Sequence, residues 1–476
     1  MDETANIPAQ GNPRRRRRSK IEVFKESYLP IVIGAVAILM ILTFIIGAVV
    51  NAVKDNNRRK QEEQDAIIAA QEEARRLAEE VDSLLDISAQ WAAEYDYKNA
   101  IIVIDTFTGD ITKYPQLLDK RAEYETLMSN MVEWTDPSQV VNLSFQLLIQ
   151  DPTRAFVDKN YGAAYNRNFV TTGEFTEILH QLYENNYVLV SLSDFIQEEV
   201  SYDGTTVYTS KPLLLPAGKK PLMLTQTHVN YNLFMVDGDG DKLPDKNGAG
   251  FASKLVLDVD GDLINEMVDK TGQTVHGEFD LVPILNSFIQ KYPNFSYKGA
   301  KAIIAVTGYD GLFGYRTNAS ARERLGEDAY QQEIEGAKKI AKALRDDGYE
   351  IACYTFNNVA YGKMSMAQLN ADLASWNNEV VPILGTVDIL AFAQVSDISG
   401  NGAYSGDKFD TLYDSGFRYF LGFCDQNTPW ALVESNYVRQ ARILVTGSNM
   451  KYNAAWFTDM FDTSMVLDSI RGSIPK

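Results

Sequence analysis

The chain has few of the residues that most often carry chemistry or staple a fold. Its 476 residues include three histidines, His180, His228 and His276, and two cysteines, Cys353 and Cys424. Two thiols exclude a disulfide framework, and both fall in predicted core strands, so two buried free thiols are expected. Three histidines on separate predicted elements leave no histidine-rich metal centre to assemble. Charge is missing altogether from Ser27 to Val53, where the centre reads LPIVIGAVAILMILTFIIGAVVNAV. This run exceeds the roughly 20 residues that a bilayer span needs. It also lacks the short apolar region and small-residue cleavage site of a secretory leader, so it reads as a retained anchor.

Charge around that run sets an expected orientation. Residues 1–27 hold seven basic groups, Arg14 to Arg18, Lys20 and Lys25, against four acidic ones. Only Lys54, Arg58, Arg59 and Lys60 follow closely on the other side. The positive-inside rule then places the N-terminus in the cytoplasm and the large C-terminal part outside the plasma membrane. Beside a span, the five-arginine run reads as a topology and anionic-lipid determinant rather than a nucleic-acid patch. Of the total charge of −19, −22 lies beyond residue 27, which argues against DNA or another polyanion as a partner of that part.

What is present next is periodicity. Ile67, Ala70, Ala74, Leu77, Val81 and Leu84 step by three and four along a heptad seam. The stripe supports a dimerising coiled coil or a lone helix packed on its successors, and its two alanines favour the latter. Helical segments over 97–106 and 116–131, broken at Asp96 and around Gly109 and Pro115, look like one tetratricopeptide-style pair. One pair is a spacer or docking collar rather than an array. The expected divisions are a basic tail at 1–27, a span at 28–53, a helical stalk at 54–134 and a large domain at 135–476.

The large domain alternates short apolar strands with amphipathic helices, the mark of an α/β barrel. Candidate strands lie in 139–149, 187–191, 222–224, 302–306, 350–355, 388–393, 418–424 and 442–445. A capping box is predicted at Thr171 and Glu174. The run Leu222 to Leu224 leads into Thr225, Gln226, Thr227, His228 and Asn230, and EIACYTFNNV follows at 350–359. These two stretches resemble the polysaccharide deacetylase (NodB-type, carbohydrate esterase 4) family, and more closely its membrane-anchored bacterial members.

The resemblance covers roughly residues 139–460 and implies a deformed seven-stranded (β/α) barrel that hydrolyses acetyl groups from polysaccharide. It implies an Asp-Asp pair at Thr227 and His228, and a His-x-x-x-His pair at Tyr354 and Asn358. Histidines of the membrane-anchored subgroup match Asn142 and Gln146. The Arg-x-Pro-Tyr phrase reads Phe392 to Val395, and a final Leu-x-His is absent near Arg442. Threonine cannot serve as a base at neutral pH, and tyrosine and asparagine are poor zinc ligands. The expectation is therefore an inactive relative without catalytic zinc, which binds or organises cell-wall polysaccharide, peptidoglycan or a protein partner. An active deacetylase with other ligands, and a stalk-dimerised scaffold without a glycan site, are the competing readings.

The expected binding residues are Thr227, His228, Asn230, Tyr354 and Asn358 on a cleft floor. Tyr309, Tyr315 and Arg316 would form one wall, with Trp430 a further aromatic candidate. Separately, Asp237, Asp239, Asp241 and Asp245 alternate as in calcium-wrapping loops. Lys242 replaces the usual glycine and Gly248 the closing glutamate, so Ca²⁺ and an ion-free acidic turn are both compatible with the spacing. Asp258 to Asp262 reads as a hairpin turn between 254–257 and 263–268.

Overall fold

The computed structural model describes residues 28–423 and 428–476, so the basic run Arg14 to Arg18 and Cys424 lie outside the described residues. The chain divides into two units, Met1–Asp82 and Ser83–Lys476. Helix α1, Leu29–Ala93, is uninterrupted, and its one proline sits in the first turn, where no intrahelical N–H bond is needed. Its first part is long and apolar enough to cross a bilayer. Side chains there are exposed, with Phe44 at 79%.

The second unit begins in the last turns of α1. Tyr95 reverses the chain at φ 64°, and Asp96 caps helix α2, Tyr97–Asp105, by accepting from the Asn99 amide at 3.2 Å. Helix α3, Pro115–Ser129, starts on a proline that needs no hydrogen-bond partner there. Tyr97 and Tyr124 stack at 6.3 Å and join the two helices. The Lys298 amide donates to the Glu94 carbonyl at 2.9 Å, so this collar is docked on the large domain.

Seven parallel strands close a ring in that domain: β1 Val141–Phe145, β2 Lys220–Thr227, β3 Ile303–Val306, β4 Glu350–Cys353, β5 Ile389–Ala391, β6 Tyr419–Phe423 and β7 Val438–Leu444. The order is β3-β4-β5-β6-β7-β1-β2, and β2 pairs back to β3. Strand β2 is long enough to take two neighbours on one edge. Tyr187–Leu189 pairs with its start and β3 with its end. The expected strand at 187–191 therefore borders the ring without entering it.

Alternation along each strand divides two environments. Leu143, Leu224, Ile304, Val306, Ile351, Leu390 and Phe420 point outward into the main apolar core beneath the helices. The helices supply matching faces. In α5, Glu327–Asp346, these are Ala337, Ile340, Ala341 and Leu344, spaced three and four apart. The barrel interior is polar at one end. Thr225 Oγ1 donates to Asn142 Oδ1 at 2.9 Å, and Asn142 Nδ2 donates to Gln440 Oε1 at 3.0 Å.

The capping box forms as predicted at the start of α4, Thr172–Glu184, and Glu174 does more than cap. Its carboxylate is buried against Arg471, which also donates to the Asn166 and Phe169 carbonyls at 2.7 Å. The C-terminal segment thereby clasps residues 166–169. The hairpin Lys254–Leu257 with Leu263–Val268 forms where expected, and a third strand, Thr274–Gly277, joins it. His276 lies on that third strand beside Glu266 at 3.8 Å. His180 packs its ring on Phe288 at 5.1 Å.

Candidate functional site

The C-terminal ends of all seven strands open on one cavity of about 460 Å³. Ser144 and Gln146 come from the end of β1, Thr227 and His228 from β2, and Tyr309 from the loop after β3. Tyr354 and Asn358 follow β4, Gln394 and Val395 follow β5, Phe423 ends β6, and Leu444 to Thr446 end β7. Barrel folds place their working residues at this end. The backbone here is strained in the same sense. His228, Thr355, Asn358, Gln394 and Val395 all adopt φ between 49° and 65°. Non-glycine residues seldom do so, and a β-branched valine least of all. Each such position costs about 1–3 kcal/mol and persists where the surrounding structure enforces it.

On the floor, His228 Nδ1 lies 3.2 Å from Thr227 Oγ1, and its ring stands edge-on to Tyr354 with centroids 4.8 Å apart. Burial pushes the His228 pKa down to about 4; the nearby Arg442 charge adds to this and Asn358 opposes it. The imidazole is therefore neutral at physiological pH. Burial raises the Tyr354 phenol, which stays protonated.

Arg442 is fully buried behind this floor. It donates to the Phe392 carbonyl at 2.6 Å, the Gly422 carbonyl at 3.3 Å and Ser144 Oγ at 3.5 Å, all neutral acceptors. The neighbouring carboxylate Asp397 is engaged by Arg439 at 3.0 Å. Burial lowers the Arg442 pKa to about 10, which leaves it charged at neutral pH.

Of the residues expected at the site, Thr227, His228, Tyr309, Tyr354 and Asn358 converge on the cavity. Asn230, Tyr315 and Arg316 are placed elsewhere. Asn230 is buried and holds the loop after β3, donating to the Thr307 carbonyl at 2.6 Å and accepting from the Thr307 amide at 2.9 Å. Arg316 is buried within the same loop, donating to the Tyr231 carbonyl at 2.8 Å and lying 3.6 Å from Asp310. Tyr315 lies under Lys254 at 4.5 Å. Trp430 is not among the lining residues and sits 5.0 Å from the Arg439 guanidinium. Gln146 lines the cavity, whereas Asn142 belongs to the interior network.

Sequence reasoning passed over Arg442, Arg167, Asn232 and Phe234. A partial signal for Arg442 was legible: Gln440 and Arg442 stand two apart on β7 and so share a face, although Arg439 on the opposite face is polar too.

The zinc that the family resemblance implies requires three good ligands and an open position. The residues present do not fit it. The floor offers one imidazole, a phenol, an amide and a hydroxyl, and no described lining residue is Asp or Glu. A divalent cation would also face the Arg442 charge, 5.7 Å from the Tyr354 ring, with no carboxylate in the described lining to hold it.

A second group is acidic. Asp237, Asp239 and Asp245 bring carboxylate oxygens within 4.8 Å of one another, a set that could bind a metal ion. Asp241, expected with them, is outside this trio and accepts from the Leu243 amide at 2.8 Å. It reaches along the chain instead of inward.

Fold and site together define a closed seven-stranded parallel (β/α) barrel whose mouth is polar and backed by a buried arginine. This is the architecture expected of the polysaccharide deacetylase type. No family model and no curated protein matches the chain. Among solved structures it is similar to a Streptococcus pyogenes deacetylase, PplD, in complex with acetate. Identity is 11% and the TM-score 0.32, over 67% of this chain and 95% of that one.

Proposed function

We propose that this is a membrane-anchored extracellular protein whose barrel mouth binds a cell-envelope glycan without deacetylating it. The observation that carries the reading is the cavity floor. Hydrolysing an acetyl group needs an electrophile for the carbonyl and a base for water. By the resemblance the base position is Thr227 and the ligand positions are His228, Tyr354 and Asn358, all in the cavity lining, and the His228 imidazole is a weak base with a pKa of about 4. The cavity itself is of ligand-binding size, with aromatic and polar walls. The anchor reading is supported by the apolar first part of α1, and the orientation by the basic excess before it.

The test uses the full chain in detergent micelles, incubated with acetylated glycan oligomers and supplied zinc or cobalt. No acetate should appear, while the same protein is retained by insoluble cell-wall glycan. Acetate above a metal-free control would overturn the inactive reading. Absence of both acetate and retention would leave the scaffold reading. For orientation, protease added to intact cells should remove the barrel, and a barrel left intact sinks the extracellular placement.

A further inference from the structure

The cavity at the barrel mouth differs electrostatically from the others in the same domain. The chain carries 64 acidic residues against 45 basic ones. A cavity of about 750 Å³ is lined by Glu94, Asp258, Asp262, Glu278, Asp346 and Asp347 against one cation, Lys301. Another, of about 470 Å³, balances Glu350 and Asp388 with Lys298 and Arg345. Among the described residues, the barrel-mouth cavity has no carboxylate in its lining and one guanidinium, Arg167, at its exposed rim. A second guanidinium, Arg442, lies directly behind the floor, touching Ser144 and the Tyr354 and Phe423 rings. In a low-dielectric wall its field reaches the cavity with little screening.

The lining also holds an unfilled acceptor. Asn232 is 1% exposed, and its Oδ1 is buried without a hydrogen-bond partner, whereas Asn358 is turned to His228. Leaving such an atom unpaired is costly, and a hydroxyl donor of a polyol would satisfy it. Phe234, 48% exposed, and Tyr309 add apolar faces on which a sugar ring can lie.

Resting on the glycan-binding reading above, we propose that this cavity selects a saccharide unit bearing one anionic group, carboxylate or phosphate. Its charge faces Arg167 over the field of Arg442, while one of its hydroxyls donates to Asn232. The chain's net charge of −19 repels a polyanion, so the ligand presents a single charge among neutral sugars.

The experiment measures binding to the full chain in detergent by calorimetry. The probes are a disaccharide ending in one glucuronate, the same disaccharide with its carboxyl reduced to an alcohol, and glucose 6-phosphate. The glucuronate disaccharide should bind with an affinity that falls as salt rises, and the reduced form about tenfold more weakly. Arg167→Glu should lose about tenfold, while Arg167→Lys keeps most of the affinity. Arg167 is exposed, so both variants should melt as wild type does. Binding of glucose 6-phosphate in place of glucuronate supports the proposal and assigns the anion as phosphate. Equal, salt-independent binding of charged and reduced disaccharides overturns it while the glycan reading stands. Failure of all three probes removes both.

Discussion

The Arg442 guanidinium lies 5.7 Å from the Tyr354 ring and 4.5 Å from the Phe423 ring, so a fixed positive charge sits behind the floor of the barrel mouth. Its partners are two carbonyls and a hydroxyl, and its removal strands no opposite charge. Arg442→Ala should cost about 3 kcal/mol from unpaired acceptors and a new cavity. Arg442→Met, which refills most of the volume, should cost less. Both should raise the His228 pKa while leaving it below 6.5, because burial remains the larger cause. Chemical denaturation and imidazole NMR titration read the two effects separately. An unchanged His228 pKa would show that the charge does not act on the floor.

His228 gives a pH dependence of stability with a definite sign. Its folded pKa of about 4 lies below the ordinary 6.5, so between these values the unfolded chain binds more protons. Its contribution is therefore complete above pH 6.5 and is lost as pH falls toward 4, about 3 kcal/mol across the window. Asp280, whose carboxyl burial pushes up to about 6, titrates in the same window with the opposite sign. The measurement must thus compare wild type with His228→Gln at pH 4.5 and 7. The variant should lose less stability on acidification than wild type, and equal losses would exclude His228 as the source.

The buried pair Glu174 and Arg471 joins the end of the chain to the cavity wall. Both side chains are 1% exposed, and Arg471 also holds the carbonyls of Asn166 and Phe169, next to Arg167 at the rim. Arg471→Ala leaves Glu174 charged and buried, which should cost about 3–5 kcal/mol. Arg471→Ala with Glu174→Gln should recover part of that loss. Thermal melting of the single and double variants decides this, and strict additivity would mean that the two residues do not act as a pair.

The fold was more legible than the site. Strand and helix periods announced the alternation of a barrel, and 254–257 with 263–268 appeared as a hairpin because Asp-Gly separates two alternating runs. Strand ends were less legible: β2 extends from Lys220 to Thr227 rather than over three apolar residues, because its inner face is polar and satisfied inside the ring. Thr227, His228, Tyr354 and Asn358 could be placed because the two stretches that hold them resemble strand ends of the polysaccharide deacetylase family. Asn230 and Arg316 could not, since a polar side chain that braces a loop and one that faces a ligand look alike in sequence. Arg167 and Asn232 come from segments outside the strands, whose return to the mouth depends on tertiary contacts.

The acidic loop supplies a prediction that separates its carboxylates. Asp237, Asp239 and Asp245 converge, while Asp241 does not. Each also accepts backbone amides, as Asp245 does from Asn247 at 2.6 Å and Asp237 from Gly240 at 2.6 Å, which holds the oxygens in place before any ion arrives. Calcium takes six to eight oxygens in flexible geometry, whereas magnesium demands a tighter octahedron that this irregular loop does not offer. Calcium should therefore raise the melting temperature of the full chain and magnesium should not. At a hundred times Kd the gain is about 2.7 kcal/mol. Asp245→Asn and Asp237→Asn should abolish the response, and Asp241→Asn should keep it. If Asp241→Asn removes the response as fully as the others, the ion is held by the alternating sequence pattern rather than by the trio the fold assembles. If calcium stabilises none of them, the loop is an ion-free turn braced by its own amides.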